Sequence, residues 1–188
     1  MTGPHGRVSP PVVSLIDTMV ASAQQLDERH GSAAASFVAD QFAAVSRPVE
    51  SSSYDAPTGQ RLCAALAQLA QTCGWMAHES AHDGLAQRWY KTGLLSAHSA
   101  GDHGLRASIM ALMSNQATIL GKHSEALQLA AAQQSASHAP AKVQALIAAR
   151  STLAHAGAGD LSSLQRARDH ALALIDDAHH DDGPSWAG

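Results

Sequence analysis

Residues 74–98, GWMAHESAHDGLAQRWYKTGLLSAH, restrict this chain more than any other stretch. They read as the end of one helix, a short turn and a second, antiparallel helix. Before the turn, Leu62, Leu66, Leu69, Cys73 and Met76 recur at the three- and four-residue steps of one helical face. After it, Leu85, Trp89, Tyr90, Gly93, Leu94 and Ala97 do the same, with Asp83 placed to cap the free backbone N–H groups. Small residues, Gly74 opposite Ala86 and Gly93, would let the two axes approach closely. The pattern returns 40 residues on, where Met110, Met113, Gly121 and Ala126 follow Ala70, Cys73, Ala81 and Ala86. Further copies turn at Gly31 and at Gly159-Asp160, so about four hairpins account for nearly the whole chain.

The remaining elements fit an all-α array. Ser9 and Pro10 start a helix whose face is Val13, Ile16, Val20, Ala23 and Leu26, stopped at His30-Gly31. Ser32 opens a second, with Phe37, Val38, Phe42 and Val45 inward, and Pro48 closes it. Residues 47–58 form the one long coil, pinned by Tyr54, and Thr58 caps the helix running to Ser80. Gly101-Asp102 leads into a fifth helix bearing Ile109, Met110, Met113, Ala117 and Leu120. A sixth runs from Glu125 to about Ser137, and a seventh begins at Pro140 with Val143, Leu146, Ile147 and Leu153. The eighth carries Leu161, Leu164, Arg168, Leu172 and Ile175. Residues 1–8 read as a disordered tail, 9–178 as one helical-repeat domain, and 179–188 as a polar tail containing Trp186.

Composition supports helices over sheets. Only seven of the 188 residues are aromatic, and no segment sustains apolar/polar alternation with β-branched residues. The net charge of −4, with three lysines and nine scattered arginines, gives no basis for non-specific nucleic-acid binding. No run is long enough to span a membrane, and the N-terminal residues lack a signal-peptide core. Cys63 and Cys73, ten apart on one helix, cannot pair within it, so reduced core thiols and a cytoplasmic setting are expected.

GWMAHESAHDGLAQRWY and SNQATILGKHSEALQLA, at 74–90 and 114–130, resemble the tetratricopeptide-repeat-like C-terminal domain of actinobacterial, Streptomyces-type helix-turn-helix transcriptional regulators. The similarity spans about Leu15 to Trp186. It implies an α-solenoid whose concave face is lined by the first helix of each hairpin, and a regulatory, interaction or ligand-sensing role. Those regulators carry a DNA-binding helix-turn-helix ahead of the segment resembled here, so direct DNA binding is not expected of this chain. The last hairpin lacks an obvious capping helix, which leaves room for a homodimer.

In such a groove Gln71, Trp75, His78, Glu79, Asn115, Thr118 and Ile119 would face inward. Trp75 would supply an aromatic wall, Gln71 and Asn115 hydrogen bonds, and Arg150 a partner for an anionic group or peptide carboxylate. Trp75, Met110 and Met113 also suit a plain inter-helix core, and Arg88, Arg106, Arg166 and Arg168 suit solvated surfaces.

His78-Glu79-Ser80-Ala81-His82 matches the zinc-peptidase pattern H-E-x-x-H, in which two histidines one turn apart bind zinc. The repeat places its turn at Ala81, which puts His82 beyond the helix end, and Arg88 stands where a metzincin has its third histidine. His98, Asp102 and His103 are the nearest other ligand candidates. The sequence therefore points to a non-catalytic domain, without cofactor, that binds a peptide, protein segment or small molecule. A zinc hydrolase using His78 and His82 and an oligomerisation module are the alternatives.

Overall fold

A computed structural model describes Val8, residues 10–133 and residues 139–178. Among these residues there are eight α-helices and no strand: α1 Pro10–His30, α2 Ala35–Ser51, α3 Ala56–Glu79, α4 Asp83–Ala100, α5 His103–Ile119, α6 His123–Ala132, α7 Ala141–Gly157 and α8 Leu161–Ala178. The chain divides into two compact units, Met1–Asp102 and His103–Gly188. The proposed cap at Ser9, the end of the sixth helix at Ser137, and both tails but for Val8 lie outside the described residues.

In the first unit, α3 is the element on which the others pack. Leu62, Leu66, Leu69, Cys73 and Met76 are all buried, as their spacing requires, with Val13, Ile16, Val20, Ala23, Val38 and Val45 against them from α1 and α2. α1 and α2 meet each other sparingly and both lie against α3, while α4 runs beside it along its length. The closest approach is at Gly74. Tyr90 of α4 is fully buried, and a Cβ built at Gly74 would fall inside 3.0 Å of its ring. The missing side chain is what admits the ring, so Gly74 serves Tyr90 rather than Ala86 or Gly93. Burying a side chain of that size stabilises by roughly 1.5–3 kcal/mol. The buried positions of α4 are Ala86, Tyr90, Gly93 and Ala97. Leu85, expected on that face, is 39% exposed.

Four helices end in one geometry. Ala81, Gly101, Gly121 and Gly159 have φ of 59°, 72°, 71° and 73°. In each case the following N–H closes on a carbonyl five residues back: His82 on Ala77 at 2.8 Å, Asp102 on Ala97 at 3.0 Å, Lys122 on Ala117 at 2.8 Å and Asp160 on His155 at 3.1 Å. This left-handed cap satisfies carbonyls that the helix end would leave unpaired. Ala81 and Gly121, matched by the 40-residue period, thus share a conformation although only one is glycine.

Several local expectations are corrected. Pro48 does not close α2; it sits inside the helix, which ends at Ser51. Pro48 lacks the N–H that would close on Ala44, but the turn beyond it is held by side chains: Ser51 Oγ and Tyr54 OH donate to the Arg47 and Val49 carbonyls at 2.6 and 2.9 Å. The expected coil at 47–58 therefore shrinks to 52–55. Thr58 is not the cap of α3: its N–H donates to the Asp55 carboxylate at 2.9 Å, and Asp55 is the N-cap. Tyr54 does pin the segment, its ring lying where a Cβ on Gly59 would be. Ser32 does not open α2, because a 3-10 turn over Gly31–Ala34 comes first. Phe37, expected inward, is 52% exposed, whereas Phe42 meets the edge of Trp89 with ring centroids 5.0 Å apart.

In the second unit, α5 packs on α6 and α7, and α7 on α8. Ile109, Ala117, Val143 and Ile147 are buried, and Ser114 Oγ donates to the Ala126 carbonyl at 2.9 Å, tying α5 to α6. Leu120 lies past the end of α5 and Leu153 faces outward, at 40% and 47% exposure. On α8 the expected inner stripe is mostly outside: Leu161, Leu172 and Ile175 are 70%, 55% and 39% exposed, and Arg168 pairs with Asp169 at the surface. Among the described side chains of α8, Ala171 is buried.

The Gly74–Tyr90 contact makes a direct prediction. Gly74→Ala should cost about 3 kcal/mol in urea denaturation followed by circular dichroism, because a fully buried ring cannot yield. Gly84→Ala, where an added Cβ meets nothing within 4 Å, should be neutral or mildly stabilising.

Candidate functional site

The second unit contains an open cavity of about 830 Å³ enclosed by α6, α7 and α8. It exists because the facing positions carry small side chains: Ala130 and Ala131 on α6, Ala148 on α7 and Ala167 on α8 line it. Leu127, Ile147 and Leu174 complete the apolar wall. The volume falls within the range of small-molecule sites.

Polar groups are set into this wall from all three helices. Gln133, at the C-terminal end of α6, is 2% exposed, and neither its Nε2 nor its Oε1 has a hydrogen-bond partner. His155 lines the cavity from α7, and its Nδ1 is likewise buried and unpartnered. On α8, Arg166 donates to Ser163 Oγ at 2.9 Å and pairs with no carboxylate among the described residues. Among the described residues the carboxylate in the lining is Asp160, which caps its own helix. It accepts from Ser163 N and Ser162 Oγ, both at 3.0 Å, capping α8. Those hydrogen bonds, Ser163 foremost, lower its pKa to about 2. Among the described lining residues, the Gln133 amide and His155 Nδ1 are buried without partners, and Arg166 adds an exposed guanidinium.

The residues expected to line a groove lie elsewhere. Gln71, Trp75, His78 and Glu79 follow one another along the last turns of α3. Gln71 Oε1 is buried without a partner, Trp75 is half-buried with its ring edge-on to His78 at 6.0 Å, and Glu79 is exposed. In the second unit Asn115 and Thr118 are half-buried on α5, with Thr118 donating to the Ser114 carbonyl at 2.9 Å. Ile119 is 65% exposed at the end of α5, and Arg150 is half-buried on α7. None of these eight lines the cavity. Sequence reading missed it because its walls are alanines, which carry little pattern of their own. Their recurrence on facing sides of successive helices was the available signal.

The H-E-x-x-H segment does not form a helical histidine pair. α3 ends at Glu79, Ala81 takes the left-handed turn, and His82 precedes α4. His78 Nδ1 instead meets Asp83 Oδ1 at 3.0 Å. Asp83 is thus the first residue of α4 and a partner of His78, where a cap was expected. Among the described residues no group of three or more His, Cys, Asp or Glu is disposed to hold a metal ion. Cys63 and Cys73 are both free, and burial pushes the Cys73 thiol up to about 12, which makes it a poor nucleophile. Among the described residues no helix is long and apolar enough to cross a membrane.

A second perturbed group lies in the first unit. Burial, then the charges of Glu79 and Glu28, raise the Asp27 carboxyl from 3.8 to about 6. Comparison of the chain with known protein families, curated proteins and solved structures finds no match.

Two outcomes follow. Gln133→Leu removes an orphaned buried donor and acceptor, so it should stabilise the ligand-free chain by about 1 kcal/mol in urea denaturation. For Asp27, the raised value means that the folded state binds its proton more tightly. Stability should therefore decline as pH rises from about 4 to about 6, by about 1 kcal/mol after allowing for solvent screening. Asp27→Asn should flatten that part of the stability profile.

Proposed function

We propose that this chain is a non-catalytic regulatory domain of tetratricopeptide-like helical hairpins that binds a small molecule or short peptide segment. The observation that carries the reading is the 830 Å³ cavity of the second unit, with polar groups left unpaired beside an apolar wall. Buried polar atoms without partners are costly in a domain that never meets a ligand, and are satisfied in one that does. The stacking within each unit, with the first helix of a hairpin packed on both helices of the one before, supports the tetratricopeptide-like description. The likeness of residues 74–90 and 114–130 to regulator domains supports a place in, or beside, a transcriptional regulator.

Native mass spectrometry of the chain, after exposure to a low-molecular-weight cell extract, tests this. A retained species should appear and should be lost in Ser151→Phe, which fills the cavity from α7, with helicity unchanged. No retained species, or one indifferent to Ser151→Phe, would contradict the assignment. A second reading, an oligomerisation module, is favoured by the exposed Leu161, Leu172 and Ile175 on α8.

A further inference from the structure

We infer that the α6–α7–α8 cavity takes a small N-acyl amino acid: an apolar acyl chain on the leucine–isoleucine–alanine wall, an amide at Gln133, and a carboxylate at Arg166. The inference rests on the ligand-binding reading above and specifies the chemistry of that site.

Three observations carry it. The first is the balance of free polar capacity. Asp160 accepts from Ser163 N and Ser162 Oγ, and among the described residues Arg166 makes no direct ion pair with it or with another carboxylate, its hydrogen bond going to the Ser163 hydroxyl. His155 and His170 add imidazoles to the same lining. A guanidinium with most of its donors unspent is suited to a carboxylate, which it can grip with two parallel hydrogen bonds.

The second is Gln133. An amide side chain with both its donor and its acceptor unpaired is complemented by another amide, which offers one of each. The group is shut off from solvent, so engaging a ligand takes a rotation of the side chain toward the cavity it lines. The rotation exchanges two orphaned atoms for two hydrogen bonds, a gain that a ligand lacking an amide does not offer. The third is the wall itself. Leu127, Ile147 and Leu174 present aliphatic carbon and no aromatic ring, which suits an alkyl chain.

Isothermal titration calorimetry of the full chain with three probes tests the assignment: N-hexanoylglycine, its uncharged glycinamide, and hexanoate, which lacks the amide. N-hexanoylglycine should bind saturably, and each of the other two at least about ten-fold more weakly. Arg166→Gln should erase the difference between the acid and the glycinamide, with Arg166→Lys recovering part of it. Gln133→Leu should erase the difference between N-hexanoylglycine and hexanoate. Arg166 is exposed, and circular dichroism on each variant separates lost binding from lost fold. Equal affinity for acid and glycinamide, or affinity unaltered by Arg166→Gln, overturns the inference while leaving the cavity a ligand site. Binding of none of the three probes at about 1 mM overturns it as well. The retained-species experiment above then decides separately whether the cavity binds anything.

Discussion

The seating of the Tyr90 ring on bare backbone at Gly74 is the contact on which the first unit depends. α3 buries apolar residues against three neighbours at once, and it can hold α4 along its length only because one position on that side has no side chain. The same exchange recurs in the second unit. Gly157, at the end of α7, lies where a Cβ would meet Thr118 Cγ2 at 2.8 Å and His123 Nδ1 at 2.9 Å, so a missing side chain again sets how closely helices meet. Glycine is costly inside a helix, and close packing offsets that cost.

Where close packing relaxes, the chain acquires its candidate site. Alanines on α6, α7 and α8 withhold the volume that leucine would fill, leaving an amphiphilic hollow beside a well-packed α5–α7 contact. Some polar groups of the lining pair with one another, Arg166 with Ser163 and Ser163 with Asp160, and others do not. Asp160 caps its helix, as Asp55 caps α3. Gln133 and His155 keep buried atoms unpaired. An apolar wall beside buried polar atoms without partners is the physical basis for reading the second unit as receptive.

Much of the helical pattern was legible in the sequence. The α3 stripe and the turn at Ala81 follow from periodicity and from the match to Gly121. What periodicity could not settle was which side of a helix has a neighbour. Leu161, Leu172 and Ile175 make an apolar stripe that the described residues leave exposed, and Phe37 does the same on α2. Pro48 misled because a proline can sit inside a helix without ending it: α2 runs three residues past it to Ser51, and Ser51 and Tyr54 hold that last turn. Asp55 and Thr58 exchanged roles because both are good capping residues three apart. The cavity was least legible, since it is written in absences of bulk.

The most direct test of the account is hydrogen exchange measured by mass spectrometry on the whole chain, with and without a saturating low-molecular-weight extract. Slower exchange confined to residues 123–133 and 141–174 is the predicted result, because a ligand there would tie α6, α7 and α8 together. Unchanged exchange in those segments, with protection elsewhere or nowhere, would contradict it.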